Sequence, residues 1–438
     1  MCINYDDVYR KIYLWIGITC TGSALSVGLG SVKMGVFNWL LIFSLLIRIV
    51  QIYTNKERLY TPCRLKSIYI FCLCLLVSTF MSMIYLPKAW IINSFSLSFK
   101  LIIYLGGIIS LFSNEQLLVI KKYFFRGLYY GTLCQLCWGG MQAICWYGFR
   151  VNLNKTIFGD VLQIGVSSGI SWDGNILGDT IMRFTGLSWE PANFALVMLV
   201  GIILSKKIIV KILFALMIIF SYSKTGFLAL MILVVCLVIE KLKECICNKR
   251  LFLTYIFFYK VFFGFLILAL LIVVELDKFT YLFSVINEGL DNLYIAIMTE
   301  ESMSGNIHKM YYLALLDVLS ESNFEQILFG YGTFSAGYPY AMLNIIPYGV
   351  DGAWNPETDF VTLLVGNGLI GAICYYYMIV SNIFCSKRKE SMLLMIVILT
   401  CGITYLYVRG TWSLLIILFT AVEVLEHNEK KNVIPNKC

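Results

Sequence analysis

The stretch 183–191 places an arginine and a glutamate immediately before a long apolar run. Arg183 comes first, Glu190 follows, and Pro191 stands where a helix would take its first turn. A guanidinium presents a planar fork of N–H donors that suits a phosphate group, and a nearby carboxylate can support that fork. We therefore predict an anion site made by Arg183 and supported by Glu190. The alternative is a membrane-anchoring arginine beside a glutamate that caps the helix.

Two further cations stand between apolar runs. Lys224 lies in Ser221-Tyr-Ser-Lys-Thr-Gly226, and Arg409 lies in the sequence Tyr-Val-Arg-Gly near the end of the chain. If the flanking runs cross a membrane, both cations share one face with Arg183. Fixed cations there would bind a pyrophosphate and stabilise it as a leaving group without a metal. The alternatives are a snorkelling lysine and an arginine anchored at the interface.

Three carboxylates, those of Asp351, Glu357 and Asp359, close the longest polar segment, beside the next apolar run. Transfer to a hydroxyl acceptor needs a base, which one of them would provide. Otherwise they are ordinary solvated loop carboxylates. Because the chain has only His308 and His427, we predict no histidine-rich metal site and no cofactor.

The composition determines which elements must position these residues. Of 438 residues, 59% are hydrophobic and 14% are charged, whereas a soluble domain carries about a quarter charged residues. Lipid must therefore be the main solvent. Apolar runs of about 20 residues cross a hydrocarbon core of about 30 Å as helices. We predict an all-α polytopic membrane protein with about twelve spans, at 12–30, 34–53, 67–86, 91–112, 126–148, 186–204, 207–222, 225–240, 254–275, 358–380, 391–408 and 411–426.

The basic residues predict the orientation of these spans. With a cytoplasmic N-terminus, 22 Lys and Arg residues lie in inside segments and nine in outside segments. Cytoplasmic loops carry such an excess, so both termini are predicted to be cytoplasmic. The net charge of +8 is spread over short loops, which argues against nucleic acid as a partner.

Two outer segments, 149–185 and 276–357, break the pattern of short connections, and long loops are usually functional. The chain thus divides into 1–275 with nine spans, the large loop 276–357, and 358–438 with the last three spans. From His308, the sequence HKMYYLALLDVLSES predicts an amphipathic helix on the membrane surface or over a cavity. Its apolar face is predicted to hold Met310, Leu313, Ala314, Leu316 and Leu319. The loop aromatics that could stack on sugars are Tyr331, Phe334, Tyr338, Tyr340, Tyr348 and Trp354.

Three stretches resemble the O-antigen polymerase family (Wzy) and the related O-antigen ligases. They are RFTGLSWEPANFA at 183–195, SYSKTGFLAL at 221–230, and LFGYGTF at 328–334 followed by NPETDFVTLLVGNGLIG at 355–371. The layout of spans and of the large loop is similar too. The ligases carry a histidine near the end of that loop, where this chain has Glu357, and this difference favours the polymerase.

The resemblance implies an inverting, metal-independent glycosyltransferase of GT-C-like architecture in the bacterial inner membrane, with its active site facing the periplasm. Its donor would be a glycan on undecaprenyl pyrophosphate, and its acceptor a new lipid-linked repeat. The candidate catalytic residues are Arg183, Glu357 and Asp359. The candidate substrate-binding residues are Glu190, Lys224, His308, Lys309 and Arg409.

Three alternatives remain open at this point. A ligase shares the donor and the fold. A flippase would suit twelve spans, but transporters are usually built from two similar halves, and no repeat is evident here. A membrane scaffold would not need cations at the outer face. Whether a chain-length regulator also binds stays open.

Overall fold

The computed structural model describes residues 5–22, 25–29, 32–56, 65–163, 176–177, 181–188, 190–247, 310–343, 355–386, 388–407 and 412–432. These residues are mostly α-helical, with two short antiparallel β-hairpins. The elements up to residue 182 are α1 (Tyr5–Cys20), β1 (Ser26–Leu29), β2 (Val32–Gly35), α2 (Val36–Asn55), α3 (Lys66–Tyr85), α4 (Lys88–Leu111), α5 (Asn114–Phe149), a π-helical segment (Lys155–Val161), β3 (Ile176–Leu177) and β4 (Ile181–Met182). The later elements are α6 (Pro191–Leu204), α7 (Ile208–Phe220), α8 (Lys224–Cys247), α9 (Leu315–Ser320), α10 (Phe324–Phe329), α11 (Gly337–Met342), α12 (Asp359–Cys385), α13 (Lys389–Thr404) and α14 (Trp412–Asn432).

Four of the described helices, α2, α3, α4 and α12, are long and apolar enough to cross a membrane. Shorter apolar helices include α6 and α7. Each predicted apolar run within the described residues overlaps a helix at least in part, while the run at 254–275 lies outside them. The helical fold class is therefore confirmed.

The first predicted run, 12–30, is wrong in its bounds. The helix begins at Tyr5 and ends at Cys20, and β1 and β2 follow as a hairpin in which Val27 pairs with Met34. Glycines recur at 22, 28, 30 and 35, and glycine costs a helix interior about 1 kcal/mol relative to alanine. The stretch is apolar throughout, so its composition predicted a single helix and gave no indication of the hairpin.

Helix α1 packs closely on α5 through glycines. A Cβ atom on Gly127 would stand 2.0 Å from the backbone oxygen of Leu14, and one on Gly17 would stand 2.3 Å from that of Phe124. Small residues permit such close approach of backbones, which is how helices associate where burial from water supplies no driving force. This contact holds α5 in place, and α5 in turn carries the anchors of the candidate site.

One end of the bundle is joined by buried charge. Lys121 of α5 lies 3.8 Å from Glu423 of α14, and the Arg388 guanidinium approaches the same carboxylate at 2.8 Å. Arg48 of α2 donates to the backbone oxygen of Leu111, at the end of α4. All these residues lie on segments predicted to be cytoplasmic or next to one.

The opposite end of the bundle holds a different set of contacts. The Tyr85 hydroxyl, at the end of α3, donates to Glu325 of α10 at 2.6 Å. The Tyr405 hydroxyl, after α13, donates to Glu190, before α6. Successive connections between helices thus lie at alternate ends of the bundle, as antiparallel neighbours require.

Helix α12 is broken at Gly368, which has φ 68° and ψ 179°. The segment 330–332 lies against this break: Tyr331 N donates to Val365 O at 3.0 Å and Gly332 N donates to Gly366 O at 2.9 Å. The backbone groups that a broken helix frees are thereby paired, as burial demands. The LFGYGTF stretch and the glycines of VGNGLIG are therefore in direct contact.

We expect Gly330→Ala to lower the free energy of unfolding by about 3 kcal/mol or more, because strain and a clash act together. Gly330 has φ +79°, and a Cβ atom there would lie 2.2 Å from Gly366 O. Gly140→Ala is the matched control, since nothing lies within 4 Å of its added Cβ. Thermal unfolding of the purified chain in detergent measures both variants. Equal unfolding temperatures for the two variants would contradict the packing described.

An apolar helix is present over Met310–Ser320, within the amphipathic helix predicted from His308, and its face with Leu313 and Leu316 is turned away from the rest of the protein. Leu313 and Leu316 are 64% and 74% exposed, whereas Tyr311 and Val318 are each 1% exposed. The buried positions follow a spacing of three and four residues: Tyr311, Ala314, Leu315 and Val318. They pack in one cluster with Trp90 of α4 and with the start of α12, and this contact selected one of two apolar faces.

Candidate anion-binding site

The segment 183–188 is held by two buried glutamines of α5. Gln142 accepts a hydrogen bond from Gly186 N at 2.9 Å, and Gln135 accepts one from Leu187 N at 2.7 Å. Gly186 has φ +57°, a conformation that favours glycine. Both glutamine side chains are fully buried, so they hold the loop where water cannot compete.

Asn154 fixes the same segment from the other side. Its amide donates to Gly186 O at 2.8 Å and to the Thr185 hydroxyl at 3.0 Å, and it accepts from Trp138 Nε1 at 2.8 Å. Gln135, Gln142 and Asn154 were not among the site residues predicted from the sequence. The available indication was the presence of uncharged amides within or just after an apolar helix, where a buried amide needs partners.

Arg183 is half-buried beside the junction of α7 and α8. Its guanidinium donates to Tyr222 O at 3.5 Å, while Nε is buried and has no hydrogen-bond partner among the described residues. Burial lowers the pKa of the guanidinium, and the nearby Glu190 opposes that change. A guanidinium stays charged in proteins, so Arg183 is a cation with a donor available for a ligand.

Lys224 begins α8, two residues after Tyr222, whose backbone oxygen accepts from the Arg183 guanidinium at 3.5 Å. Burial lowers the pKa of Lys224, and the positive charge of Arg183 lowers it further. The structure thus brings together two of the cations predicted from sequence. Mutual repulsion of neighbouring cations is relieved by an anion between them, and more effectively by one with several charges. The pair therefore suits a phosphate or pyrophosphate.

Glu190 precedes α6 and is exposed, and its side chain makes no capping hydrogen bond to that helix. Glu190 thus stands at the N-cap position of α6 without capping the helix through its side chain. Instead the carboxylate accepts a hydrogen bond from the Tyr405 hydroxyl, to which Asn193 also donates at 3.4 Å. Glu190 thus links α6 to the connection after α13.

Asp359 is fully buried at the start of α12. Its N–H donates to Tyr405 O at 3.3 Å, and its carboxylate lies beside Gly402, where an added Cβ would stand 2.8 Å from Oδ2. Burial argues against direct contact between Asp359 and an acceptor, so its predicted catalytic role is not supported by its position. Asp359 instead joins the start of α12 to the Tyr405 segment.

Glu357 is the carboxylate beside α12 that solvent reaches. Glu357 is exposed, and partial desolvation by the surrounding protein raises the pKa of its carboxyl above that of an ordinary glutamate. Thr358 caps the helix by accepting from Val361 N at 3.2 Å, so the chain direction at Glu357 is well determined. Glu357 is therefore the better placed of the two predicted bases.

The first residues of α6, α8 and α12 converge at this end of the bundle. The contacts of Arg183 with Tyr222, of Tyr405 with Glu190 and of Asp359 with Tyr405 bring these helix starts together. A helix N-terminus carries partial positive charge, which adds to the charge of Arg183 and Lys224. The arrangement is therefore one that attracts anions.

Several predicted site residues lie outside the described residues: His308, Lys309, Arg409, Asp351, Tyr348 and Trp354. Three of the loop aromatics that the structure describes, Tyr331, Phe334 and Tyr340, are buried in the protein. The prediction that these three stack on sugars is therefore wrong. Tyr338 is half-buried and packs against Trp90. No group of three or more potential metal ligands occurs among the residues that the structure describes.

No protein-family model matches the chain, and no curated protein matches it. The likeness to O-antigen polymerases therefore depends on the quoted stretches. The structure adds that these stretches are in contact: Arg183 meets the SYSKTG stretch at Tyr222, and LFGYGTF meets VGNGLIG at the break in α12.

Proposed function

We propose that this chain is a polymerase of lipid-linked polysaccharide repeats in the bacterial inner membrane. It would have about twelve spans, cytoplasmic termini and an active site at the periplasmic face. Its donor would be a growing glycan on undecaprenyl pyrophosphate, and its acceptor the sugar terminus of a new lipid-linked repeat. No metal or other cofactor is required in this proposal.

The observation that carries the proposal is the juxtaposition of Arg183 and Lys224. Both stand at one end of a largely apolar helix bundle, where charged side chains are expensive and usually functional. Arg183 keeps a buried donor without a protein partner among the described residues. A lipid pyrophosphate has its charge at the membrane face and its tail in the bilayer, so it matches both the charge and the location.

We propose the following transfer reaction at this site. The acceptor hydroxyl oxygen forms a bond to the anomeric carbon, on the face opposite the pyrophosphate. The bond from that carbon to the pyrophosphate oxygen breaks, and the lipid pyrophosphate leaves with the electron pair. Glu357 takes the proton of the hydroxyl, while Arg183 and Lys224 stabilise the charge that develops on the leaving group. The configuration at the anomeric carbon is inverted.

The test is to delete the gene and separate the cell's lipopolysaccharide on a gel. A polymerase deletion leaves the lipid core carrying a single repeat, and wild-type protein restores the ladder of chain lengths. Bare core with long polymer on the carrier lipid identifies a ligase. Bare core without polymer identifies a flippase or an earlier step. Either of the last two outcomes would overturn the polymerase proposal.

A further inference from the structure

Two cysteine thiols meet between α3 and α12, two of the helices that are long and apolar enough to cross a membrane. The Cys74 thiol donates to Sγ of Cys374 with 3.7 Å between the sulfur atoms, although the two residues lie 300 residues apart in the chain. The helices approach closely here, because a Cβ atom added to Gly371 would stand 4.0 Å from Cβ of Cys74. A disulfide holds its sulfur atoms about 2 Å apart, so a small side-chain rotation of each cysteine allows the bond to form.

The packing of α3 against α12 fixes this contact from both sides. On one side of the thiols, the rings of Phe71 and Tyr375 lie 5.7 Å apart between centroids. On the other side, the buried Ser78 hydroxyl donates to Gly366 O at 2.7 Å. Residue numbers rise along α3 as they fall along α12, so the two helices pack antiparallel in one register. The thiols therefore face each other because two whole helices are aligned.

The cysteine pair lies at the edge of the apolar surface of the bundle, near the middle of a helix. Cys74 is the ninth of the 20 residues of α3. Both cysteines are partly exposed, and their neighbours Leu73 and Ile373 are 60% and 57% exposed. Where α3 and α12 cross a membrane, this surface faces hydrocarbon. The oxidant that reaches these thiols is therefore a lipid-soluble one.

We propose that Cys74 and Cys374 are a redox-sensitive pair, which a lipid-soluble quinone oxidises to a disulfide that locks α3 to α12. Each thiol loses its hydrogen, and the two sulfur atoms form one bond. The two protons and two electrons pass to the quinone, which becomes a quinol. This proposal does not depend on the chain being a polymerase.

The disulfide would act across the break in α12. Gly368 lies between Gly366, which accepts from Ser78, and Cys374. In the oxidised chain, α3 is therefore joined to α12 by a hydrogen bond before the break and by a covalent bond after it. The angle between the two halves of α12 is then fixed by α3.

The experiment oxidises the purified full chain in detergent with decyl-benzoquinone and detects the bond on a gel. A protease site inserted between the exposed Lys206 and Lys207 allows the chain to be cut after oxidation, so that Cys74 and Cys374 fall in different fragments. On a denaturing, non-reducing gel the two fragments should stay joined, and dithiothreitol should separate them. Cys74→Ser and Cys374→Ser should each give separate fragments after the same oxidation.

Cys72→Ser is the matched control for the cross-link. Cys72 lies on the same helix but packs towards α4, where a Cβ atom on Gly106 would lie 4.0 Å from its sulfur. Its fragments should stay joined, as in the wild type. Separate fragments in the oxidised wild type would overturn the proposal, and so would joined fragments in Cys74→Ser or Cys374→Ser. If one of these two variants does not fold, the other removes the same bond from the opposite helix.

Thermal unfolding of the uncut chain tests the lock. A cross-link between residues 300 apart removes more freedom from the unfolded chain than a short one does. The oxidised wild type should therefore unfold about 5 °C or more above the reduced wild type. Oxidation should not change the unfolding temperature of Cys374→Ser. A joined chain that unfolds at the temperature of the reduced chain would show that the disulfide does not lock α3 to α12.

Discussion

Replacing Arg183 by alanine should lower the rate of chain elongation by about 10²- to 10³-fold, the usual cost of losing one preorganised donor at a developing charge. The hydrogen bond that Arg183 donates to Tyr222 O is long, at 3.5 Å, so we expect the fold to depend little on it. The protein should therefore remain in the membrane at wild-type levels. Because the negative charge develops as the pyrophosphate leaves, the variant should lower the rate of the transfer step.

The measurement is the lipopolysaccharide ladder of a deletion strain that carries each variant, with transfer by purified protein as the quantitative assay. Arg150→Ala is the matched control, since Arg150 is an exposed arginine that packs over the Trp146 ring. It should restore the full ladder. A full ladder from Arg183→Ala as well would show that Arg183 does not bind the pyrophosphate, even if the chain is a polymerase.

Replacing Glu357 by glutamine should lower the transfer rate by about 10²- to 10⁴-fold, the range of general base catalysis. Glutamine preserves the size of the side chain but cannot take the proton of the acceptor hydroxyl. Asp317→Asn is the matched control, because Asp317 is an exposed carboxylate of α9 on the same large segment. Its rate should equal that of wild type.

The pH dependence gives a further test of Glu357. A base must be ionised to act, and desolvation raises the pKa of Glu357. The wild-type rate should therefore fall as the pH falls through that raised pKa, at a higher pH than an ordinary glutamate would give. This acidic limb should disappear in Glu357→Gln. A limb that persists in the variant would assign the base to another group.

The helices were predictable because an apolar run between polar loops is a local property of the chain. Helix α3 was predicted at 67–86 and lies at Lys66–Tyr85, and α7 was predicted at 207–222 and lies at Ile208–Phe220. In lipid a backbone must satisfy its own hydrogen bonds, so such a run has few alternatives to a helix. The run at 12–30 failed because glycines inside it favoured a hairpin.

The choice between apolar faces was not local. In Met310–Ser320 two faces carry apolar side chains, and only contact with Trp90 and the start of α12 determines which is buried. The break at Gly368 is similar, because VGNGLIG reads as continuous helix until LFGYGTF is placed beside it. Local composition cannot predict which face is buried or where the helix breaks, because both depend on the segment that packs against the helix.

The sequence by itself determined the apolar helices and the charged residues at their ends, among them Arg183, Glu190 and Lys224. Only the tertiary structure decided which of these meet and what holds them. Tyr405 lies 215 residues from Glu190 along the chain, and Gln135 lies 52 residues from Leu187. Such contacts depend on how helices pack, and no spacing along the chain encodes them. The buried position of Asp359 was likewise decided by its neighbours, because the α13 end closes over it.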